Sequence, residues 1–343
     1  MKKIFTIIGD VAVAVGCCIG VGFLSGKEAQ VFFGNTVNVV IFAFAFFAIS
    51  FALREYCRVN SCSTVDKLSG SLFKKASNFF NIGIALCSFV CIVTVLAGVE
   101  QCLAKLFYIS KLPLYAFAAS LIAVLLLQRG MKALKYANFI AIIMAIILIL
   151  ILLFSNTSKK SGAVQIPFYQ PVIYALFSVT MSMGVLTQLS SKASQKDNVI
   201  SCVLASVITA ALMGAVLPLC QLNADLPTLS NISHPILLAY AIVTLLFAAV
   251  TGIVANAYPI VQELKSIVTD NTLCNAMTFG LALAFSMFGF DFAVKFGYLL
   301  VSAFGAVIMF LAIYNLLKDS INKFQSKKMT KEVNPLRKKK IHE

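Results

Sequence analysis

The sequence predicts an all-α integral membrane protein of about ten transmembrane helices, in two five-helix halves of opposite orientation, with helices one and six interrupted in mid-membrane. Three observations lead there. The 343 residues are 60% hydrophobic and only 12% charged, far from the balance of a soluble domain. The apolar residues gather into about ten runs, each near the roughly 20 residues that cross a bilayer as a helix. The first of these runs packs four glycines, Gly16, Gly20, Gly22 and Gly26, into eleven positions.

In chain order the runs cover 5–34, 36–53, 79–107, 112–128, 131–154, 169–190, 199–222, 235–263, 272–290 and 292–317. They make one membrane domain over 1–317, with a first repeat at about 5–154 and a second at about 169–317. A basic tail, 318–343, follows as an appendage. Tryptophan is absent, so tyrosines such as Tyr108, Tyr115, Tyr169, Tyr240 and Tyr298 are expected to supply the interfacial belt.

The net charge of +15 could suggest nucleic acid, but its placement excludes that. With the N-terminus inside, 22 Lys and Arg residues fall on the cytoplasmic side against six outside. Without the tail the ratio is still 13 to six, and the positive-inside rule gives N-in and C-in, hence an even number of spans. Lys327-Lys328 and Arg337-Lys338-Lys339-Lys340 are expected near anionic lipid, each basic residue worth up to about 1 kcal/mol there. The cell membrane, in a bacterium the inner one, is the expected location.

In the first run, each glycine costs a helix about 1 kcal/mol against alanine. Such a run is suited to interrupting a membrane helix, and the backbone groups so freed must face protein or a solvated cavity. Gly16 and Gly20 would equally suit a small-residue packing seam. Lys2-Lys3, the apolar run and Gly16-Cys17 also resemble a lipoprotein signal peptide, but Asp10 interrupts it and Ala14 stands where leucine is usual, so no cleavage is expected. The ten cysteines form no CxxC and no Cys/His cluster, so they are expected to pack as small apolar residues, with no metal site. No nucleophile elbow, HExxH, phosphate loop or paired intramembrane carboxylates argue for an enzyme.

The sixth run gathers Ser178, Thr180, Ser182, Gly184 and Thr187 at its centre. It offers a counterpart to the first break, although hydroxyls and glycine also suit a helix seam. Five spans per half make the second half inverted, with the site between the breaks.

The run Gly20-Val21-Gly22-Phe23-Leu24-Ser25-Gly26 resembles the first-helix GxG signature of the amino acid–polyamine–organocation transporter superfamily, whose fold is LeuT-like. Extended through Lys27-Glu28 and Phe32-Phe33, it is similar to the YkvI-like family of bacterial membrane proteins, with Leu24 and Lys27 as departures. The resemblance implies that the amides of Val21, Gly22 and Phe23 face a substrate carboxylate, with Ser25 adding a hydroxyl. Carbonyls near Thr180 and Met181 would take a substrate ammonium, with Ser182, Met183 and Gly184 shaping the pocket. Glu28 falls after the break, leaving no acid within it, which suits a zwitterion better than a simple cation. The expected substrate is a small neutral amino acid or similar solute, moved by alternating access. A sensor that binds such a molecule in the same fold without moving it is the alternative.

For a coupling sodium ion the resemblance implies carbonyls of Gly16 and Ile19 with the Thr251 hydroxyl, but Gly252 replaces an expected second hydroxyl. Proton coupling needs a titratable group in the bundle, for which Asp10, Glu100 and Lys135 stand as candidates, Lys135 being expected to snorkel. Lys27 and Glu28 with Asp291 are the expected outer gate, and Lys2 or Lys3 with Glu263 the inner one. Substrate identity, transport direction and oligomeric state are not written in the sequence.

Overall fold

The computed structural model describes residues 2–107, 113–155, 166–191, 193–220, 228–229, 232, 234–265, 268 and 270–339. The first run forms α1 (Lys2–Cys18), α2 (Val21–Leu24) and α3 (Lys27–Phe32). There follow α4 (Thr36–Val59), the short α5 (Val65–Phe73), α6 (Ser77–Phe107), α7 (Leu114–Ser155), α8 (Gln170–Ser190) and α9 (Gln195–Val216). The chain closes with α10 (Pro235–Lys265), α11 (Asn271–Ser286), α12 (Phe290–Phe292) and α13 (Tyr298–Lys339), with a π-helical turn, Ala293–Gly297, before α13. No strand occurs among the described residues. Four helices start on side-chain caps: Asn35, Thr64, Ser194 and Asp270 accept from the first turns of α4, α5, α9 and α11.

Helix α7 holds two crossings in one run. Straight, 42 residues would extend about 63 Å, twice the hydrocarbon thickness. Gly130, at φ 76° and ψ −171°, breaks it in a conformation that is nearly exclusive to glycine. A Cβ there would meet nothing within 4 Å, so the cost of adding one is conformational alone. Gly130→Ala is expected to remove about 1–3 kcal/mol of stability, read as a lower thermal midpoint in detergent.

With α7 counted twice, the long apolar helices and the shorter α1 and α11 supply ten crossings among the described residues. The surface is apolar, with Phe44, Phe79, Phe117, Leu125 and Phe310 exposed, while Ser178, Ser182, Thr209, Thr244 and Asn256 are buried. That distribution suits a chain surrounded by hydrocarbon, whose buried hydroxyls and amides bond back to carbonyls of their own helices. All ten cysteines are buried, and no disulfide joins them.

Two expectations are corrected. Helix six, α8, is one uninterrupted helix through Thr180–Gly184, so the carbonyls of Thr180 and Met181 are not released by a break. Its hydroxyls bond back along the helix: Ser178 Oγ to Tyr174 O, Thr180 Oγ1 to Leu176 O and Ser182 Oγ to Ser178 O, at 2.7–2.9 Å. Thr180 and Gly184 instead form seams, the first against Gly305 of α13 and the second against Pro259 of α10. Tyr298 is buried in the bundle rather than interfacial. Helix α13 runs on past Lys318 to Lys339; the tail side chains expected near lipid lie outside the described residues, as does Tyr108.

Candidate functional site

The first helix is interrupted where the glycines are densest. Helix α1 ends at Cys18, and Gly20 takes an extended conformation, φ −100° and ψ −171°. Gly20 N turns back to Cys18 O at 3.1 Å, and the hydrogen-bond ladder restarts with Leu24 N to Gly20 O. The amides of Val21, Gly22 and Phe23 precede that first rung, and among the described residues they have no acceptor. The carbonyls of Gly16 and Cys17, at the end of α1, likewise have no backbone donor there. A second turn follows at Ser25 and Gly26, where Gly26 is left-handed at φ 79°. Ser25 Oγ donates to Gly22 O within this segment and is fully buried.

This turn brings Glu28 back into the break, which corrects the expectation that no acid lies there. The Glu28 side chain is 3% exposed, and a Cβ on Gly22 would collide with its carboxyl. Tyr174 of α8 and Tyr298 of α13 reach it with their hydroxyls, at Oε2 and Oε1, each at 2.5 Å. Tyr174 Oη also lies 3.3 Å from Cys18 O, where α1 stops. Phe32 packs on both tyrosine rings and Phe177 stacks on Tyr298. A cavity of about 20 Å³ sits in this cluster, lined by Cys17, Cys18, Gly20, Val21, Gly22, Glu28, Thr94, Tyr174, Ser178, Met181, Phe290 and Tyr298. It has room for about one water molecule, so this conformation is closed around the break.

Of the expected substrate residues, Gly20, Val21, Gly22 and Met181 line the cavity, while Ser182 and Met183 are buried in α8 away from its lining. Sequence reasoning missed Tyr174 and Tyr298. Their signal was a polar-tipped aromatic inside an apolar run, a residue type that normally finds a partner when buried.

The other charged candidates are engaged elsewhere. Glu100 Oε2 accepts from Tyr115 N and Ala116 N, at 3.1 and 3.0 Å, and so caps the start of α7 from α6. Asp10 is buried and ion-paired, its Oδ1 2.9 Å from Lys135 Nζ and its Oδ2 3.6 Å from Arg54 Nη2. Lys135 therefore turns inward instead of snorkelling. Arg54, counted from sequence only as a cytoplasmic charge, is 1% exposed, and among the described residues none of its three side-chain nitrogens has a hydrogen-bond partner. Thr251 Oγ1 bonds within its own helix to Ala248 O, and Gly16 faces the Asn138 side chain of α7. Lys27 Nζ lies 2.9 Å from Asp291 Oδ1. Glu28 takes no part in that pair. Glu263 closes α10 beside Asp66, whereas the Lys2 and Lys3 side chains lie outside the described residues.

Among the described residues, a bundle of ten crossings thus has its first helix broken over a small closed cavity. Neither a protein-family model nor a curated protein matches the chain. Among solved structures it is similar to MhsT in complex with L-phenylalanine, with a TM-score of 0.62 and 15% identity, over 89% of this chain and 87% of that one. It is also similar to Mhp1, a nucleobase-cation-symport-1 family transporter, in a closed conformation with bromovinylhydantoin bound: TM-score 0.61, 15% identity, 88% of this chain and 74% of that one. The chain thus has the LeuT-like fold, and it is a multi-pass membrane protein.

Proposed function

We propose that this protein is a secondary transporter that moves a small zwitterionic solute, a neutral amino acid or a close analogue, across a bacterial inner membrane by alternating access. The interruption at Ile19–Gly20 carries the reading. Among the described residues it leaves three amides and the carbonyls of Gly16, Cys17 and Ile19 without backbone partners at one point of the bundle. Peptide dipoles of both signs are thereby offered together, the amides to a carboxylate and the carbonyls to an ammonium. The fold shared with MhsT and Mhp1, each solved with a small organic molecule bound, supports the same reading.

Because the cavity holds about one water, a solute enters only after the bundle opens. Two charge clusters are placed to oppose opening, Lys27–Asp291 on the outer side and Asp10 with Lys135 and Arg54 on the cytoplasmic side. The outer pair is partly exposed, Lys27 at 20% and Asp291 at 54%, so it contributes at most about 1 kcal/mol. Lys27→Gln and Asp291→Asn are each expected to leave thermal stability almost unchanged while raising outside labelling of a cysteine placed near Phe290. Unchanged labelling and uptake in both would remove the gate role. The function itself is tested by counterflow of labelled neutral L-amino acids in proteoliposomes. Binding without flux would favour a sensor.

A further inference from the structure

We infer that Glu28 carries a proton in this closed conformation and that the proton is the ion coupled to solute movement. The inference rests on the transport reading above, and it starts from a hydrogen count. Tyr174 Oη has a single hydrogen but lies within bonding distance of two acceptors, Glu28 Oε2 and Cys18 O. With Glu28 ionised, one of those contacts has no hydrogen to make it. With Glu28 protonated on Oε2, its hydroxyl donates to Tyr174 Oη, Tyr174 donates to Cys18 O, and Tyr298 donates to Glu28 Oε1. Every contact is then made, and the chain ends on the last carbonyl of α1.

Charge points the same way. The groups facing Glu28 are Tyr174 from α8, Tyr298 from α13, and the thiols of Cys17 and Cys18 from α1, with Thr94 from α6; none is a cation. Lys27, its chain neighbour, is turned to Asp291, which is itself the nearest charge on α12. A carboxylate enclosed by Phe32, Phe177 and two tyrosine rings without a counter-ion is costly, and protonation removes the charge. The cycle balances simply. Glu28 takes a proton from water when the site is open outward, holds it as the neutral acid while closed, and returns it to water when the site opens inward.

The first test needs no solute. Infrared difference spectra of the purified protein between alkaline and acidic buffer are expected to show one buried protonated carboxyl, absent in Glu28→Gln and retained in Glu100→Gln. Should Glu28→Gln fail to fold, Tyr298→Phe is expected to keep that band and move its frequency, since one hydrogen bond to the carboxyl is lost. Proteoliposomes of the wild type, loaded with pyranine and given labelled neutral L-amino acids, are then expected to accumulate solute about tenfold per unit of pH difference for one proton per solute, with matching internal acidification. A band that persists in Glu28→Gln, or that Tyr298→Phe leaves unmoved, overturns the assignment while leaving the transport reading intact. Uptake driven by sodium and indifferent to pH overturns the coupling. A Glu28 band with no counterflow under any gradient overturns the transport reading, and the coupling with it.

Discussion

Asp10→Asn is expected to cost roughly 3–5 kcal/mol, the largest stability loss of any single polar substitution discussed for this chain. The reason lies in Arg54, whose buried guanidinium makes no hydrogen bond among the described residues and has Asp10 as its counter-charge at 3.6 Å. Neutralising Asp10 leaves that guanidinium and the Lys135 ammonium facing one another without an anion between them. The complementary substitution should behave very differently. Arg54→Met leaves Asp10 paired with Lys135 at 2.9 Å and replaces a poorly satisfied cation by a side chain of similar length. Its cost should be small, and in the double variant it should recover much of the Asp10→Asn loss. Thermal unfolding of the purified single and double variants is the measurement. Equal losses from the two single changes would mean that the cluster is not organised around Asp10.

Gly22→Val is expected to give the largest loss of transport, between about tenfold and a hundredfold, matching 1–3 kcal/mol of overpacking. A Cβ on Gly22 falls against the carboxyl, Cδ and Cγ of Glu28, so any side chain there displaces Glu28 from its two tyrosines. Gly20→Ala adds its methyl where nothing lies within 4 Å, on an ordinary negative φ, and should lose far less. Initial uptake rates normalised to surface expression separate the two. Similar losses at both positions would mean that the backbone break matters, rather than the room it leaves for Glu28.

How far the sequence revealed this arrangement depends on the physics at each position. Ten crossings and the break in the first helix were legible, because hydropathy and a cluster of glycines report directly on span length and helix cost. The second break was not there to be read. Ser178, Thr180 and Ser182 bond their own helix at i−4, so the same hydroxyls serve a continuous seam as readily as an interrupted strand of backbone. Glu28 was misplaced for a different reason. Counting along the chain put it beyond the site, but the left-handed turn at Gly26 reverses direction and returns it. Its tyrosine partners lie 146 and 270 residues away, a proximity that no local pattern encodes. Lys27 and Asp291 were legible as a pair because both begin short helical segments on the same side of the bundle.

The short α2 does not end in a bare terminus. Thr228, from the connection between α9 and α10, donates its amide to Ser25 O at 3.1 Å and its hydroxyl to Leu24 O. The connection between α9 and α10 is therefore tied, through a buried residue, to the irregular backbone of the broken first helix. Pulling Thr228 away would strip two carbonyls of their donors at once, so movement of that connection and rearrangement of the broken helix must go together.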